Sequence, residues 1–262
     1  MSTLAYTLTD SRTMLRRNLV HMMRYPVLTL MVIGIPVVFL LLFVYVLGGT
    51  LGAGLGTAGG ADGYIDYVVP GILIIAIAGS AQGTAITVAM DMTEGIVARF
   101  RTMAISRAAV LTGHVLGNVI QTMIGLTVVL GVSLAVGFRP TAGPQEWLAA
   151  IGVLVLIAFA LTWLSVGLGM VSKTVEGASN LPMFLLLLPF LGSGFVPTES
   201  MPGPLRWFAE NQPFTPWTET LRGLLTGTPI GNNGWLTIVW CGVITLGGYL
   251  WALRLYNSRS TR

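Results

Sequence analysis

The chain has 262 residues, of which 54% are hydrophobic and only 9% charged, with a mean hydropathy of +0.79. A soluble domain carries about 25% charged residues, so an ordinary soluble enzyme is excluded and an integral membrane protein with little mass outside the bilayer is expected. A net charge of +4 could suit a nucleic-acid binder, but here the basic residues cluster at the ends of apolar runs. Membrane topology and anionic headgroups account for them there. Cys241 is the single cysteine, which excludes an internal disulfide.

Residues 1–25 carry Leu15, Leu19, Met22 and Met23 at i, i+4, i+7 and i+8, with Arg12, Arg16, Arg17 and Arg24 mostly on other faces. That spacing predicts an amphipathic helix lying in the interface, its arginines toward headgroups. Arg16-Arg17 superficially resembles a twin-arginine signal, but the apolar run after it is too long for a signal peptide and further runs follow. Val27–Leu47 supplies the roughly 20 apolar residues a span needs, and Pro36 is placed to kink it. Gly48 to Gly63 reads as a glycine-rich loop. Gly54 to Gly59 matches G-x-G-x-x-G, yet no strand–helix–strand unit surrounds it, so no nucleotide site is inferred. Val68–Met90 is the second predicted span. Its Gly79-Ser-Ala-Gln-Gly83 step allows another helix to approach closely, and Gln82, polar at membrane depth, should face protein.

Asp91 to Arg107 is a charged island between two long apolar runs. Arg99, Arg101 and Arg107 mark it as cytoplasmic. Asp91 and Glu94 suit a helix start, where acids meet the positive end of the dipole. Ile96, Phe100 and Met103 recur at i, i+4 and i+7 and so share one face. A short amphipathic helix tied to a span at each end can be pushed by a partner protein and move both spans. A plain connecting loop whose arginines only fix topology is the alternative.

The third predicted span, Ala108–Phe138, carries His114, Asn118, Gln121, Thr122 and Gly125 at i, i+4, i+7, i+8 and i+11. They form one polar stripe on an apolar helix. Polar groups at membrane depth need protein or water partners, so the stripe, with Gln82, either lines a pathway or bonds helices together. Arg139 to Glu146 reads as an outer turn and Trp147–Val171 as the fourth span. Gly167 to Thr174 falls one glycine short of a phosphate-binding loop and ends a span, not a strand, so it is set aside. Asn180–Val196, the fifth span, is short and broken by Pro182 and Pro189. In the outer segment 197–234, Gly203–Glu210 and Phe214–Leu225 each read as short helices, with Trp217, Leu221, Leu224 and Leu225 on one face. They suggest a re-entrant hairpin; an exposed loop with interfacial anchors is the alternative. Trp235–Leu253 is the sixth span.

The topology that follows places 11 of the 14 lysines and arginines inside and leaves Arg139, Arg206 and Arg222 outside. That bias puts both termini in the cytoplasm. No Asp, Glu, Lys or Arg lies within a predicted span, so a proton relay of the kind antiporters use is not expected. No zinc-protease or serine-hydrolase motif occurs, and a membrane-embedded enzyme is not expected either. Any uphill transport must then draw its energy from another chain.

Asp91–Val115, DMTEGIVARFRTMAISRAAVLTGHV, resembles the loop and following span of type-2 ABC exporter permeases, the daunorubicin-resistance permeases above all. Leu191–Leu225, LGSGFVPTESMPGPLRWFAENQPFTPWTETLRGLL, is similar to the outer hairpin of that family. The likeness covers essentially the whole chain. It implies an all-α membrane protein: one permease domain, residues 1–262, with six transmembrane helices. An N-terminal interfacial helix (1–25), a cytoplasmic coupling region (91–107) and an extracytoplasmic re-entrant hairpin (197–234) complete it. It implies that Glu94, Ile96, Arg99, Phe100, Arg101 and Met103 dock on an ATPase subunit. ATP and magnesium would sit on that partner, with no cofactor or metal on this chain. A second permease chain, as a homodimer in a bacterial plasma membrane, would complete the exporter, with no role for nucleic acid. The apolar spans suit a hydrophobic or amphipathic compound: a drug, an antibiotic or a lipid. Other readings are a lipid or glycan-lipid permease and, from another class, a channel or membrane scaffold.

Overall fold

The computed structural model describes residues 26–54, 61–93, 107–172 and 174–258, and all regular structure among them is helical. The interfacial segment 1–25 and the island residues 94–106 lie outside the described residues. The first helix, α1 (Pro26–Leu41), runs through Pro36 and continues as a π-helical turn, Leu42–Val46. It then meets α2 (Gly48–Gly54) at a bend of 67°. The break thus falls after the π turn. Residues 48–54, expected as a loop, are helical despite four glycines, because α2 packs on the helix that follows it and buries Gly48 and Gly52. Helix propensity is a weak prior that such packing overrides.

The long helices come next: α3 (Ala61–Thr93), α4 (Arg107–Val136) and α5 (Pro144–Val171). Proline at the first position of α5 costs nothing, since that N–H has no intrahelical partner. The α3 helix starts seven residues before the expected span and runs on through Asp91. It is the hub: 72% of its apolar stretch is buried inside the molecule, against 28% for α4. It contacts α1, α2, α4 and α5, and Ile72, Leu73, Ile74, Ile75 and Ile77 are all fully buried. In a bilayer, close packing rather than water exclusion holds helices together. Gly169 of α5 lies directly on the Ala85 backbone of α3, with no room for a side chain.

Beyond α5 the predicted fifth span is not one helix. It is α6 (Val175–Asn180), α7 (Met183–Leu187) and a 3-10 turn, Leu188–Leu191. Neither Pro182 nor Pro189 can donate a backbone N–H. The apolar helical stretch is Glu176–Leu191, which at 1.5 Å per residue falls short of the ~30 Å hydrocarbon core. Then come α8 (Gly203–Asn211), α9 (Phe214–Thr226) and α10 (Asn233–Ser258). Gly227 ends α9 in the left-handed region at φ 74°, which glycine adopts without strain. Four described helices are long and apolar enough to cross a membrane, and a fifth if the bent α1–α2 pair is one span.

Direction follows from the contacts. Ser80 and Asn118 meet, and the Arg139 N–H donates to Asp66 Oδ1 at 3.3 Å, so α4 runs antiparallel to α3. Ala85 meets Gly169, and Trp163 meets Gly248, so α3, α5 and α10 run parallel. Their N-terminal ends gather around α9, through Tyr67, Thr141 and Thr237. The α8–α9 pair therefore sits at one end of the bundle, and residues 94–106 depart from the other.

Candidate functional site

Of the residues expected to engage an ATPase, Glu94, Ile96, Arg99, Phe100, Arg101 and Met103 lie outside the described residues. Their setting is described: α3 enters the island helical through Thr93 and α4 leaves it at Arg107. Whatever moves the island therefore acts on two long helices at once.

The polar stripe of α4 divides into two kinds of residue. Asn118 and Thr122 are buried in a network that joins three helices. The Ser80 hydroxyl of α3 donates to Asn118 Oδ1 at 2.9 Å. Asn118 Nδ2 donates to Thr162 Oγ1 of α5 at 2.8 Å, and Thr162 donates onward to the Ala158 carbonyl at 2.6 Å. Thr122 Oγ1 lies 2.6 Å from Ser80 Oγ and 2.8 Å from the Asn118 carbonyl, with its proton directed to one or the other. Such a closed set rigidifies a helix interface, because every buried polar atom has a partner. Gln82 likewise turns inward, its Nε2 donating to the Ser179 carbonyl of α6 at 2.8 Å.

Gln121 differs. It is half-buried and makes no hydrogen bond among the described residues. One turn on, a side chain at Gly125 would meet Ile33 of α1 at 3.4 Å, while Ile120, Ile124 and Val128 are exposed. Gln121 thus stands at the seam between α1 and the open face of α4. His114 falls on the same helix, with its side chain outside the described set. Ser80 and Thr162 were not singled out from sequence. Ser80 sits inside the Gly79–Gly83 step read as a close approach, so its signal was present; Thr162 has none beyond being a hydroxyl in an apolar run.

A second polar centre lies at the α8–α9 end. Arg222 of α9 is only 6% exposed, although sequence placed it in an outer segment. Its Nη1 donates to Glu219 Oε1 at 2.5 Å, Nη2 to the Ser193 carbonyl at 2.7 Å, and Nε and Nη2 to the Tyr67 carbonyl of α3 at 3.3 and 3.2 Å. The guanidinium carbon stands 3.7 Å from the Tyr67 ring centroid, within cation–π range. The Tyr67 hydroxyl donates to the same Ser193 carbonyl at 2.9 Å, and that of Tyr64 to the Phe195 carbonyl at 3.1 Å. These donors serve a stretch of irregular backbone, 192–197, that helix geometry leaves unpaired. Buried backbone outside a helix needs such partners for its carbonyls. On exposed α8, Arg206 donates to Glu210 Oε1 at 2.7 Å, and that bond raises the proton affinity of the guanidinium above its ordinary value.

No group of metal-ligating side chains occurs among the described residues. The arrangement is one of mechanical parts: a hub helix, a pinned interface in mid-bundle and a helix pair clasped to one end.

The profile of the ABC-2 type transporter family matches residues 9–226. The chain is 28% identical over 250 residues to the daunorubicin resistance ABC transporter permease protein DrrB1 of Streptomyces coeruleorubidus, covering 95% of this chain and 86% of that one. It is 25% identical over 179 residues to the "Probable doxorubicin resistance ABC transporter permease protein DrrC" of Mycobacterium tuberculosis, covering 68% and 65% of the two chains. It is 24% identical over 166 residues to the ABC transporter G family member 20 of Dictyostelium discoideum, covering 62% of this chain but 22% of that one.

Proposed function

The chain belongs to the ABC-2 type transporter family, and we propose that it is the membrane-spanning half of an ATP-driven exporter of amphipathic aromatic drugs. The observation that carries the reading is likeness to a daunorubicin resistance permease along 95% of the chain. Two such permease chains and two ATPase subunits make the working exporter, with ATP and magnesium on the ATPases. Residues 94–103 form the docking helix: Ile96, Phe100 and Met103 bury in a groove of the ATPase, Arg99 and Arg101 meet acidic residues there, and Glu94 starts the helix. The segment 1–25 lies beside it at the cytoplasmic surface.

The α8–α9 pair forms the re-entrant hairpin on the outer face, and both termini are cytoplasmic. Two observations support that orientation. On the topology predicted from sequence the basic residues divide 11 to 3 between the two faces, and α10 ends, with Arg254, on the side from which the island departs. Gln121, with His114 on the same stripe, faces the drug. Asn118, Thr122 and Gln82 hold the wall behind it.

The test is transport. Membrane vesicles turned inside out, from cells coexpressing the permease with the ATPase subunit that copurifies with it, should accumulate doxorubicin when ATP is added and stop when it is withheld. Accumulation independent of ATP, or accumulation of a labelled lipid and no drug, would overturn the drug-exporter reading.

A further inference from the structure

The Arg222 centre ties together parts that are far apart in the chain. Tyr67 lies on the hub helix, Ser193 on the irregular stretch after the broken helix, and Arg222 and Glu219 on α9. Its geometry has a local cause. Pro70 supplies no N–H to the helix ladder, so the Asp66 carbonyl loses its intrahelical partner while α3 stays helical through it. Gly71 beside it has no side chain, and the Gly194 backbone fills the space: a Cβ at Gly71 would lie 2.6 Å from the Gly194 carbonyl oxygen. The 192–195 backbone is thus drawn against α3, where the Tyr67 hydroxyl and Arg222 both reach the Ser193 carbonyl. A buried guanidinium is costly unless it is fully paired. Here three carbonyl contacts, a carboxylate and a ring face provide the pairing.

We propose that Arg222 is a positioning residue for transport: it clamps the hairpin to the outer end of α3, so that displacement of α3 at the island moves the hairpin with it. The proposal rests on the exporter reading, in which the island receives the ATPase's motion. The α3 helix is continuous from Ala61 to Thr93. It therefore carries a push at its cytoplasmic end to Tyr67 with little loss, and Arg222 is what Tyr67 holds. Glu219, 30% exposed at its side chain, closes the clamp toward the surface.

The experiment compares Arg222→Gln, Arg222→Lys and Tyr67→Phe in the full permease with its ATPase subunits. It reads three quantities: ATPase subunit retained on purification, ATP hydrolysed, and doxorubicin moved per ATP into inside-out vesicles. Arg222→Gln should leave retention and hydrolysis unchanged while drug moved per ATP falls about tenfold, the scale of a lost charged hydrogen bond. Arg222→Lys should fall less, because it keeps the charge over the ring but cannot span both carbonyls. Tyr67→Phe keeps ring and cation and removes one neutral hydrogen bond, so its ratio should fall by about threefold. It is the variant that answers if Arg222→Gln does not fold. An unchanged ratio in Arg222→Gln and Tyr67→Phe overturns the proposal, and so does a loss of transport in Tyr67→Phe matched by an equal loss of hydrolysis or of protein. Failure of the exporter reading shows separately: the unaltered permease would retain no ATPase or move no drug.

Discussion

Asn118 and Gln121 stand one turn apart on α4 and have opposite surroundings. Asn118 bonds Ser80 on one side and Thr162 on the other, so replacing it removes two buried bonds, although Ser80 keeps Thr122 and Thr162 keeps the Ala158 carbonyl. Each buried hydrogen bond lost costs about 0.5–1.5 kcal/mol. Asn118→Leu should therefore lower the melting temperature of the purified permease and reduce export of every drug in proportion to the folded protein left. Gln121 has no described partner to lose. Gln121→Leu should melt at the unaltered temperature while the relative export of a panel of drugs shifts, if, as proposed, its amide faces the drug. A destabilised Gln121→Leu with unchanged selectivity would assign that residue to packing.

Among the elements, the join between α3 and the stretch that follows the broken helix leaves no room for a side chain. Gly71→Ala would push a methyl group into the Gly194 backbone, 2.6 Å away, and backbone cannot swing aside as a flexible side chain can. Overpacking of this kind costs about 1–3 kcal/mol. The variant should melt earlier and, by lifting 192–195 off Tyr67, should lose more transport than folded protein. Gly152→Ala serves as the control, since nothing lies within 4 Å of a side chain there. Equal behaviour of the two variants would show that the close approach does not matter. Sequence made some of these elements legible. The α8 and α9 helices were expected at Gly203–Glu210 and Phe214–Leu225 and occur one residue longer each, because prolines punctuate their starts and apolar spacing marks their faces. The four long apolar helices, α3, α4, α5 and α10, were readable from their uninterrupted apolar runs. The helical state of Gly48–Gly54 was not, since it comes from packing on α3. Nor was the clamp: Arg222 reads as a charge in an outer segment, and its partner Tyr67 lies 155 residues away.

At the scale of the whole molecule, both faces of the membrane can be probed. In a Cys241→Ser background, single cysteines at Ala61 and Thr226 should react with an impermeant thiol reagent added to intact cells, and one at Ser260 should not. Labelling of Ser260 from outside would contradict cytoplasmic termini. In the proposed exporter the permease is driven by ATP hydrolysis on a partner subunit. Residues 94–106 are the larger of the two inner connections between helices that the sequence predicts, the other being the short Lys173–Glu176 stretch. The one measurement that tests this most directly is made on Phe100→Ala: ATPase subunit retained on purification, with doxorubicin efflux from the same cells. Burying a Phe side chain is worth roughly 1.5–3 kcal/mol. Its loss should weaken ATPase binding by about one to two orders of magnitude and abolish efflux in step, while the permease still inserts with unchanged topology. Full ATPase retention with full efflux in Phe100→Ala would contradict the account and leave residues 94–106 as a connection that only fixes topology.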